Sequence, residues 1–379
     1  RAEFGLLFPL ITHLHSHPSY NLCLFIGGAL LNPKYSTLCI DQLSSLGIPI
    51  TAKIELPEPN ATTSTAKSIA LGILSAESIL PSHNLDALFI YADRYEGFAM
   101  AVACSHLNIP ICHVEGGDIT NGGAFDDNIR HAISKLSHLH YTSNVNSSEV
   151  LLSMGEEPWR IQNVGLLPFS SDFTSGLLDL DQLQSSLGFS LTNEIIIFTM
   201  HSISSNLEQT YLEACAAFSA IRFLRAESRT IILTYPNDDS GSDIIFEFIN
   251  SLRSDCPDIF VIPSLGQQRY YSLLNLTSLG FCVTCIGNSS SIVKELGFFG
   301  VPGLLIGSRQ SGRLLASNVS CTEADHDSIV QSYTSLISNY SNVDFSVNPY
   351  QVQGGMALLL DHLSSSLSNP SLLRKEFYL

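Results

Sequence analysis

Short apolar runs alternate with helical patterns along almost the whole chain, and this rhythm limits the possible folds more than any other feature. In the first half NLCLFIG (21–27), IPITAKIE (48–55), DALFIYA (86–92), IPICHV (109–114) and HLHYTS (138–143) read as strands. Helical patterns near 4–16, 63–80, 96–107 and 127–137 separate them. In the second half EIIIFTM (194–200), RTIILTY (229–235), DIFVIP (258–263), SLGFCVTCIG (278–287) and GLLIG (303–307) are strands, with helices near 206–225, 242–252, 267–275 and 290–298. Strands that are apolar throughout, each followed by a helix, predict an α/β protein with parallel sheets covered on both faces. The rhythm pauses in a polar, Ser-rich stretch between Leu167 and Thr192. Two Rossmann-like, doubly wound domains facing a central cleft are therefore expected, over 1–170 and 190–345. Residues 346–379 are expected to form a helical segment packing back on the first domain. A chain of 379 residues is long enough for two cores. Ligands of such sheets bind beyond the carboxyl ends of the strands, so the residues just after each strand are the informative ones.

Charge narrows the partners. A formal net charge of −17 makes the chain a poor ligand for nucleic acid or anionic membrane. An anionic small molecule then needs local positive potential built for it. Nine cysteines is an odd number, and most lie in apolar runs such as AVACSHL, which reads as buried free thiols in a reducing compartment. Cys282 and Cys285 form a CxxC within a strand, where residues three apart face opposite ways, so neither a shared metal nor a redox turn is expected. No apolar run reaches membrane-spanning length, and the chain reads as soluble and cytoplasmic.

Acid–base residues gather after the strands of the first half. Asp93 follows DALFIYA and precedes a helix, where an N-cap is the plain explanation. Glu115 ends IPICHV and precedes Gly116 and Gly117, which allow a sharp turn or a close approach. A carboxylate there, partly desolvated, is placed to exchange protons near neutrality; a solvated loop residue is the alternative. His113, two residues earlier on the same face, is placed to hydrogen-bond Glu115 and joins the substrate-binding candidates. In FDDNIRHAISKL the helix dipole favours acids in the first turn by ~0.3–1 kcal/mol. Spacing of four pairs Asp126 with Arg130 and Asp127 with His131. A capped, salt-bridged helix start accounts for one of those aspartates better than for the whole group. HLHSH (13–17) and SHLHY (137–141) resemble ligand clusters, yet no acidic or Cys partner has ligand spacing nearby, so solvated or packed histidines are expected and no metal site.

The second half carries the anion signal. In IGNSSSIVKELG a strand ends at Gly287, and Asn288, Ser289, Ser290 and Ser291 open a helix, offering N–H groups and hydroxyls to a diphosphate. The GxxxxGK[ST] pattern is absent, so nothing points to ATP hydrolysis. Glu295, one turn further, is placed for ribose hydroxyls; an exposed Glu is the alternative. Arg309 and Arg313 in GSRQSGR supply a basic loop, and His201 follows EIIIFTM.

Taken in order, RAEFG (1–5), ADRYE (92–96), HVEGG (113–117), FDDNIRHAISKLSH (125–138), YPNDD (235–239), LGQQRY (265–270), IGNSSS (286–291), GSRQSGR (307–313) and NPY (348–350) resemble the hydrolysing UDP-N-acetylglucosamine 2-epimerases of nonulosonic and sialic acid pathways. The resemblance implies a glycosyltransferase-B-like fold that binds a UDP-sugar and uses neither metal nor nicotinamide. It implies proton removal at C2, loss of UDP to a glycal, and rehydration to N-acetylmannosamine, in a homodimer or homotetramer. By position, Asp93, Glu115 and Asp126 match the acid–base carboxylates, Arg130 their orienting arginine and His201 a catalytic or phosphate-contacting histidine. Ser289, Ser290, Arg309 and Arg313 match diphosphate ligands, Glu295 a ribose ligand and Arg1 an arginine of the first loop.

Four departures stand out. Ala92 replaces a usual Gly, and Gln351 follows NPY where Gly is common. The loop between Glu115 and Asp126 is longer than in some relatives, leaving Asp126 and Asp127 both open as the working acid. The strand that precedes RAEFG in the family is absent, so residues upstream of Arg1 are expected. Two other activities fit the same motifs: an epimerase acting on a modified UDP-sugar such as a 2,4-diacetamido-2,4,6-trideoxyhexose or returning UDP to the sugar, and a UDP-sugar-binding protein without turnover.

Overall fold

The computed structural model describes residues 2–57, 63–120, 126–170, 173–237 and 239–378. The chain runs α1 (Ala2–Ser16), β1 (Phe25–Ile26), α2 (Pro33–Ser45), β2 (Ala52–Lys53), α3 (Thr65–Ile79), β3 (Leu88–Tyr91), α4 (Tyr95–Leu107), β4 (Ile111–Val114), α5 (Asp126–Leu136), β5 (Leu139–Thr142), α6 (Val145–Ser153) and β6 (Ile161–Asn163). It continues with α7 (Leu180–Leu187), β7 (Glu194–Thr199), α8 (Leu207–Phe223), β8 (Arg229–Thr234), α9 (Ser242–Asp255), β9 (Phe260–Ile262), α10 (Gly266–Asn275), β10 (Cys282–Gly287), α11 (Ser290–Lys294), β11 (Gly303–Ile306), β12 (Val319–Thr322), α12 (His326–Ser338) and α13 (Gly355–Leu367). Two compact units result: Arg1–Asp118 with Asp126–Ser171 and Gln351–Leu379, and Asp172–Tyr350 with Ile119–Phe125.

In the first unit β3, β4, β5 and β6 lie side by side in sequence order, all parallel. The central strands β4 and β5 are fully buried and the edge strands β3 and β6 partly so, because helices cover both faces: Ile90, Ile111 and Ile133 pack with α3 and α4 on one side, and Cys112, Val114, Tyr141, Leu359 and Leu363 on the other. The apolar runs 21–27 and 48–55 yield only two-residue strands, β1 and β2, which pair with each other in a separate sheet.

In the second unit the order is β12-β11-β10-β7-β8-β9, again all parallel. Successive strands β7, β8 and β9 step one way. The chain then returns to the other side of β7 with β10 and steps outward through β11 and β12. The order therefore reverses between β7 and β10, and a doubly wound sheet opens its ligand crevice at that point, beyond the strand ends. Ile196, Phe198, Ile231, Leu233, Ile286 and Leu304 form the core beneath it with Ala214, Ala217 and Phe218 of α8.

Helices α2, α6, α7 and α12 were not expected from periodicity, and α7 falls inside the expected pause. Three of them carry a side-chain cap at hydrogen-bond distance: Asn144 accepts from the Ser147 amide at 2.9 Å, Asp179 from the Gln182 amide at 2.9 Å and Asp325 from the Ser328 amide at 3.0 Å. All nine cysteines are free thiols. No described helix is long and apolar enough to cross a membrane.

Candidate functional site

The first unit assembles its acidic groups at the ends of β3 and β4. Both strands finish in left-handed backbone on residues that carry side chains, Ala92 at φ 52° and Glu115 at φ 61°. Each such residue stores of order 1–3 kcal/mol. Asp93 does not cap α4: the cap position is Arg94, whose side chain makes no capping bond. The Asp93 carboxylate instead pairs with the Arg130 guanidinium. Arg130, only 2% exposed, also donates to the Asp127 carboxylate at 2.5 Å and to the Asp118 carbonyl at 2.7 Å. Burial works against its charge, but the carboxylates of Asp93, Asp118 and Asp127 prevail and hold its pKa above the ordinary value. A fork with several donors suits this task, because one rigid cation fixes groups from two segments.

The expected pairing on α5 is thus altered. Asp127 reaches Arg130 at a spacing of three rather than His131 at four. The His131 imidazole is held below its ordinary pKa by burial and by the charge of Arg130. The side chain of Asp126 and all of Arg1 lie outside the described residues.

Glu115 is buried at 4% exposed rather than solvated, and its Oε1 accepts from the Tyr91 hydroxyl at 2.5 Å. Its partner is not His113. That imidazole is fully buried, with Nε2 2.6 Å from the Ala92 carbonyl and Nδ1 3.0 Å from the Ser134 hydroxyl. Nε2–H must donate to the carbonyl, so Nδ1 accepts from Ser134. Burial lowers the His113 pKa to about 3, keeping it neutral. It ties the peptide before Asp93 to the helix that carries Arg130. Gly117 completes the turn at φ 80°, where a Cβ would lie 2.1 Å from the Ser147 carbonyl oxygen. The sequence signal for Tyr91 was weak, since a Tyr at the end of a strand is usually packing.

The first histidine cluster lies near the surface, with His15 exposed, and the second is packed. His13 and His17 stack with centroids 5.7 Å apart. His138 Nδ1 accepts from the Ile111 amide at 3.0 Å, and His140 Nε2 lies 2.9 Å from the Glu156 carboxylate.

In the second unit His201, Asn288 and Arg309 follow β7, β10 and β11, and the first two flank the reversal in strand order. Gly287 makes the crossing possible: at φ 138°, its absent Cβ would sit 1.9 Å from the Thr199 carbonyl oxygen. Asn288 is fully buried and clamps His201 by its backbone. Oδ1 accepts from the His201 amide at 2.7 Å, and Nδ2 donates to the His201 carbonyl at 2.9 Å. The Asn288 carbonyl accepts from Arg309 at 3.2 Å and from Gln310 at 2.9 Å. Arg309 also donates to the Ser202 carbonyl at 3.1 Å, and Arg313 to the Gln310 side chain. Three strand ends are therefore tied at one asparagine. Sequence reading ranked Asn288 as a ligand and overlooked Gln310.

His201 Nδ1 accepts from the Asn237 amide at 3.1 Å, so its proton resides on Nε2. Burial, with the charge of Arg309, lowers its pKa to about 3. This histidine is a neutral hydrogen-bond donor near neutral pH. Ser289 caps α11, accepting from the Ser291 amide at 3.3 Å, while Ser290 is exposed. Glu295 closes the same short helix with its amide bonded to the Ser291 carbonyl at 2.9 Å.

A family model described as UDP-N-acetylglucosamine 2-epimerase matches residues 12–359. The GDP/UDP-N,N'-diacetylbacillosamine 2-epimerase (hydrolyzing) of Campylobacter jejuni is 32% identical over 321 residues, covering 84% of this chain and 81% of that protein. The UDP-N-acetylglucosamine 2-epimerase of Neisseria meningitidis serogroup B is 28% identical, covering 87% and 83%. Among solved structures, the Methanocaldococcus jannaschii UDP-GlcNAc 2-epimerase in complex with UDP-GlcNAc and UDP superposes with a TM-score of 0.75 at 14% identity, covering 96% of this chain and 97% of that one. At that identity the likeness establishes the fold, which is glycosyltransferase-B-like. The breadth of the family match, with a relative above 30% identity over most of both chains, identifies the chain as a member of the UDP-N-acetylglucosamine 2-epimerase family.

Proposed function

We propose that the chain is a hydrolysing 2-epimerase that converts UDP-N-acetylglucosamine to N-acetylmannosamine and UDP. The observation that carries this reading is the buried Arg130, which gathers Asp93 and Asp127 at strand and helix ends that also present Glu115. Breaking a C–H bond beside an acetal carbon needs a positioned base, and such groups contribute ~10²–10⁴-fold each. A carboxylate from Asp93, Glu115 and Asp126 removes the proton at C2. The C–H electron pair becomes the C1–C2 double bond as the C1–O bond to UDP breaks. UDP leaves with that bonding pair, and Ser289, Ser290, Arg309 and Arg313 meet its charge. His201, neutral with its proton on Nε2, donates to a phosphate oxygen. Glu295 serves the ribose. Water then adds, hydroxyl to C1 and proton to C2 on the opposite face. His113 acts through position, since its ring is fully buried.

A second substrate is favoured by the Campylobacter relative, whose name specifies diacetylbacillosamine. The bond changes at C1 and C2 are the same, and only the groups at C4 and C6 differ. Incubation with each UDP-sugar, followed by ³¹P and ¹H NMR, tests the reading. Free UDP with a released 2-epimeric sugar supports it, and the faster substrate names the sugar. Epimerised sugar still joined to UDP, or tight binding without turnover, would overturn it.

A further inference from the structure

Glu213 lies in none of the segments that carry the family resemblance, yet its position in the second unit is unusual. It sits on α8, only 2% exposed, beside Ala214 and Ala217 of the apolar core. A carboxylate in such a place is strongly unfavourable unless it is compensated, and an apolar residue would suit the helix face. Its surroundings are its own helix and the turn after β11, and Oε2 has no hydrogen-bond partner among the described residues. Gln209, one helical turn earlier, donates to Oε1 at 3.0 Å. Beyond it Gly307 adopts φ 69°, and a Cβ there would lie 2.5 Å from Oε2 and 2.6 Å from Oε1. The Gly307 amide donates to the Thr322 carbonyl at 3.1 Å, which fixes the other side of the turn. Burial raises the Glu213 pKa, partly opposed by the Gln209 bond and by the charge of Arg309, two residues past Gly307.

We propose that Glu213 is a positioning residue: its carboxylate seats the Gly307–Ser308 turn and aims Arg309 at the diphosphate. The inference rests on the reading of this loop as the diphosphate holder. Glu213 itself touches no substrate. It works from beneath, while the Ser202 and Asn288 carbonyls fix the Arg309 guanidinium from the side. Buried support of this kind decides whether a guanidinium meets a phosphate in the correct orientation.

The test measures UDP affinity by calorimetry, KM and kcat for UDP-N-acetylglucosamine, and thermal unfolding, in the wild type and in Glu213→Gln, Glu213→Ala, Gly307→Ala and the Glu213→Ala/Gly307→Ala double variant. Glu213→Ala is expected to weaken UDP binding and raise KM roughly tenfold, the size of one lost charge-assisted contact. kcat should fall by less than about threefold, because proton transfer is handled elsewhere. Glu213→Gln keeps the shape and is expected to fall between the two. Gly307→Ala should weaken UDP binding more than Glu213→Ala, and the double variant should recover part of that loss because the added methyl then has room. Glu213→Gln and Glu213→Ala binding UDP as tightly as wild type, with only the unfolding temperature changed, would overturn the proposal. So would strictly additive losses in the double variant. Failure of the wild type to bind UDP would instead remove the reading of the loop itself, so the two failures are distinguishable.

Discussion

The acid-bearing turns of the first unit and the anion-binding turns of the second both follow parallel strands, yet they handle charge in opposite ways. In the first, Arg130 is set among carboxylates, bonded to Asp93 and Asp127. In the second, Arg309 is oriented by the neutral carbonyls of Ser202 and Asn288. Carboxylate partners cancel a cation and fix the acids around it. Carbonyl hydrogen bonds orient a cation without adding a paired negative charge, so it still attracts a diphosphate. The backbones differ to match. Left-handed positions in the acid turns fall on Ala92 and Glu115, where strain holds a side chain at a set angle, as well as on Gly117, whereas in the anion turns they fall only on glycines such as Gly287 and Gly307, where space is what matters.

The comparison breaks most decisively at the carboxylates. Asp126→Asn or Glu115→Gln is expected to lower kcat by ~10²–10⁴-fold with UDP affinity unchanged. Running Asp127→Asn beside Asp126→Asn decides which aspartate works. A drop in UDP binding for either would show that the two units do not divide the labour.

Removing the cation that the acids surround should damage the fold. Arg130→Met leaves Asp93 and Asp127 without their buried partner, and a loss of about 3–5 kcal/mol in unfolding free energy is expected from denaturant titration. Arg309→Met removes a cation held by the Ser202 and Asn288 carbonyls. Its expected effect is a tenfold or greater rise in the UDP dissociation constant, about 1.4 kcal/mol or more, with little change in stability.

Acidity affects both units through neutral, buried histidines. His113 and His201 are held at about 3 against 6.5 when unfolded, mainly by burial. Their folded pKa values are depressed, so their contribution is full above pH 6.5 and is lost as pH falls toward 3. Between pH 6.5 and 5 each should remove about 2 kcal/mol. Glu156 adds to the loss at lower pH. Burial raises its pKa, but His140, Lys375 and Lys135 prevail and hold it at about 2 against 4.5, so its contribution declines below pH 4.5. Chemical denaturation at pH 7 and pH 5 measures the histidine part.

The smallest effect concerns strain. Ala92→Gly should change unfolding free energy by less than about 1 kcal/mol, because relief at φ 52° is offset by the added freedom of the unfolded chain. A lower kcat with unchanged UDP binding would show that the rigid Ala92 peptide helps aim Asp93.

Much of the fold was legible, since long apolar strands such as 194–200 and 229–235 can only be buried strands of a covered sheet. The short strands β1 and β2 were over-read because an apolar run does not reveal how many pairing partners its backbone finds. Helix α6 was missed because its cap, Asn144, follows a strand without a break. In the site, spacing correctly singled out Arg130 but misjudged its partners. The i,i+4 rule assumes a free helix surface, whereas the Asp93 strand end pulls the guanidinium to one side. Glu213 gave no signal at all: a Glu on a helix is usually exposed, and only the coordinates reveal that it faces the core.

The most direct test of the division between proton-moving acids and an anion-holding loop is turnover of UDP-N-acetylglucosamine in D₂O, followed at C2 of the released sugar. The account predicts one deuterium at C2 in wild-type product, with Asp126→Asn losing both deuterium incorporation and UDP release while still binding UDP. Released sugar that keeps its original hydrogen at C2 would contradict it, because UDP would then leave without the proton transfer to which Asp93, Glu115 and Asp126 are assigned.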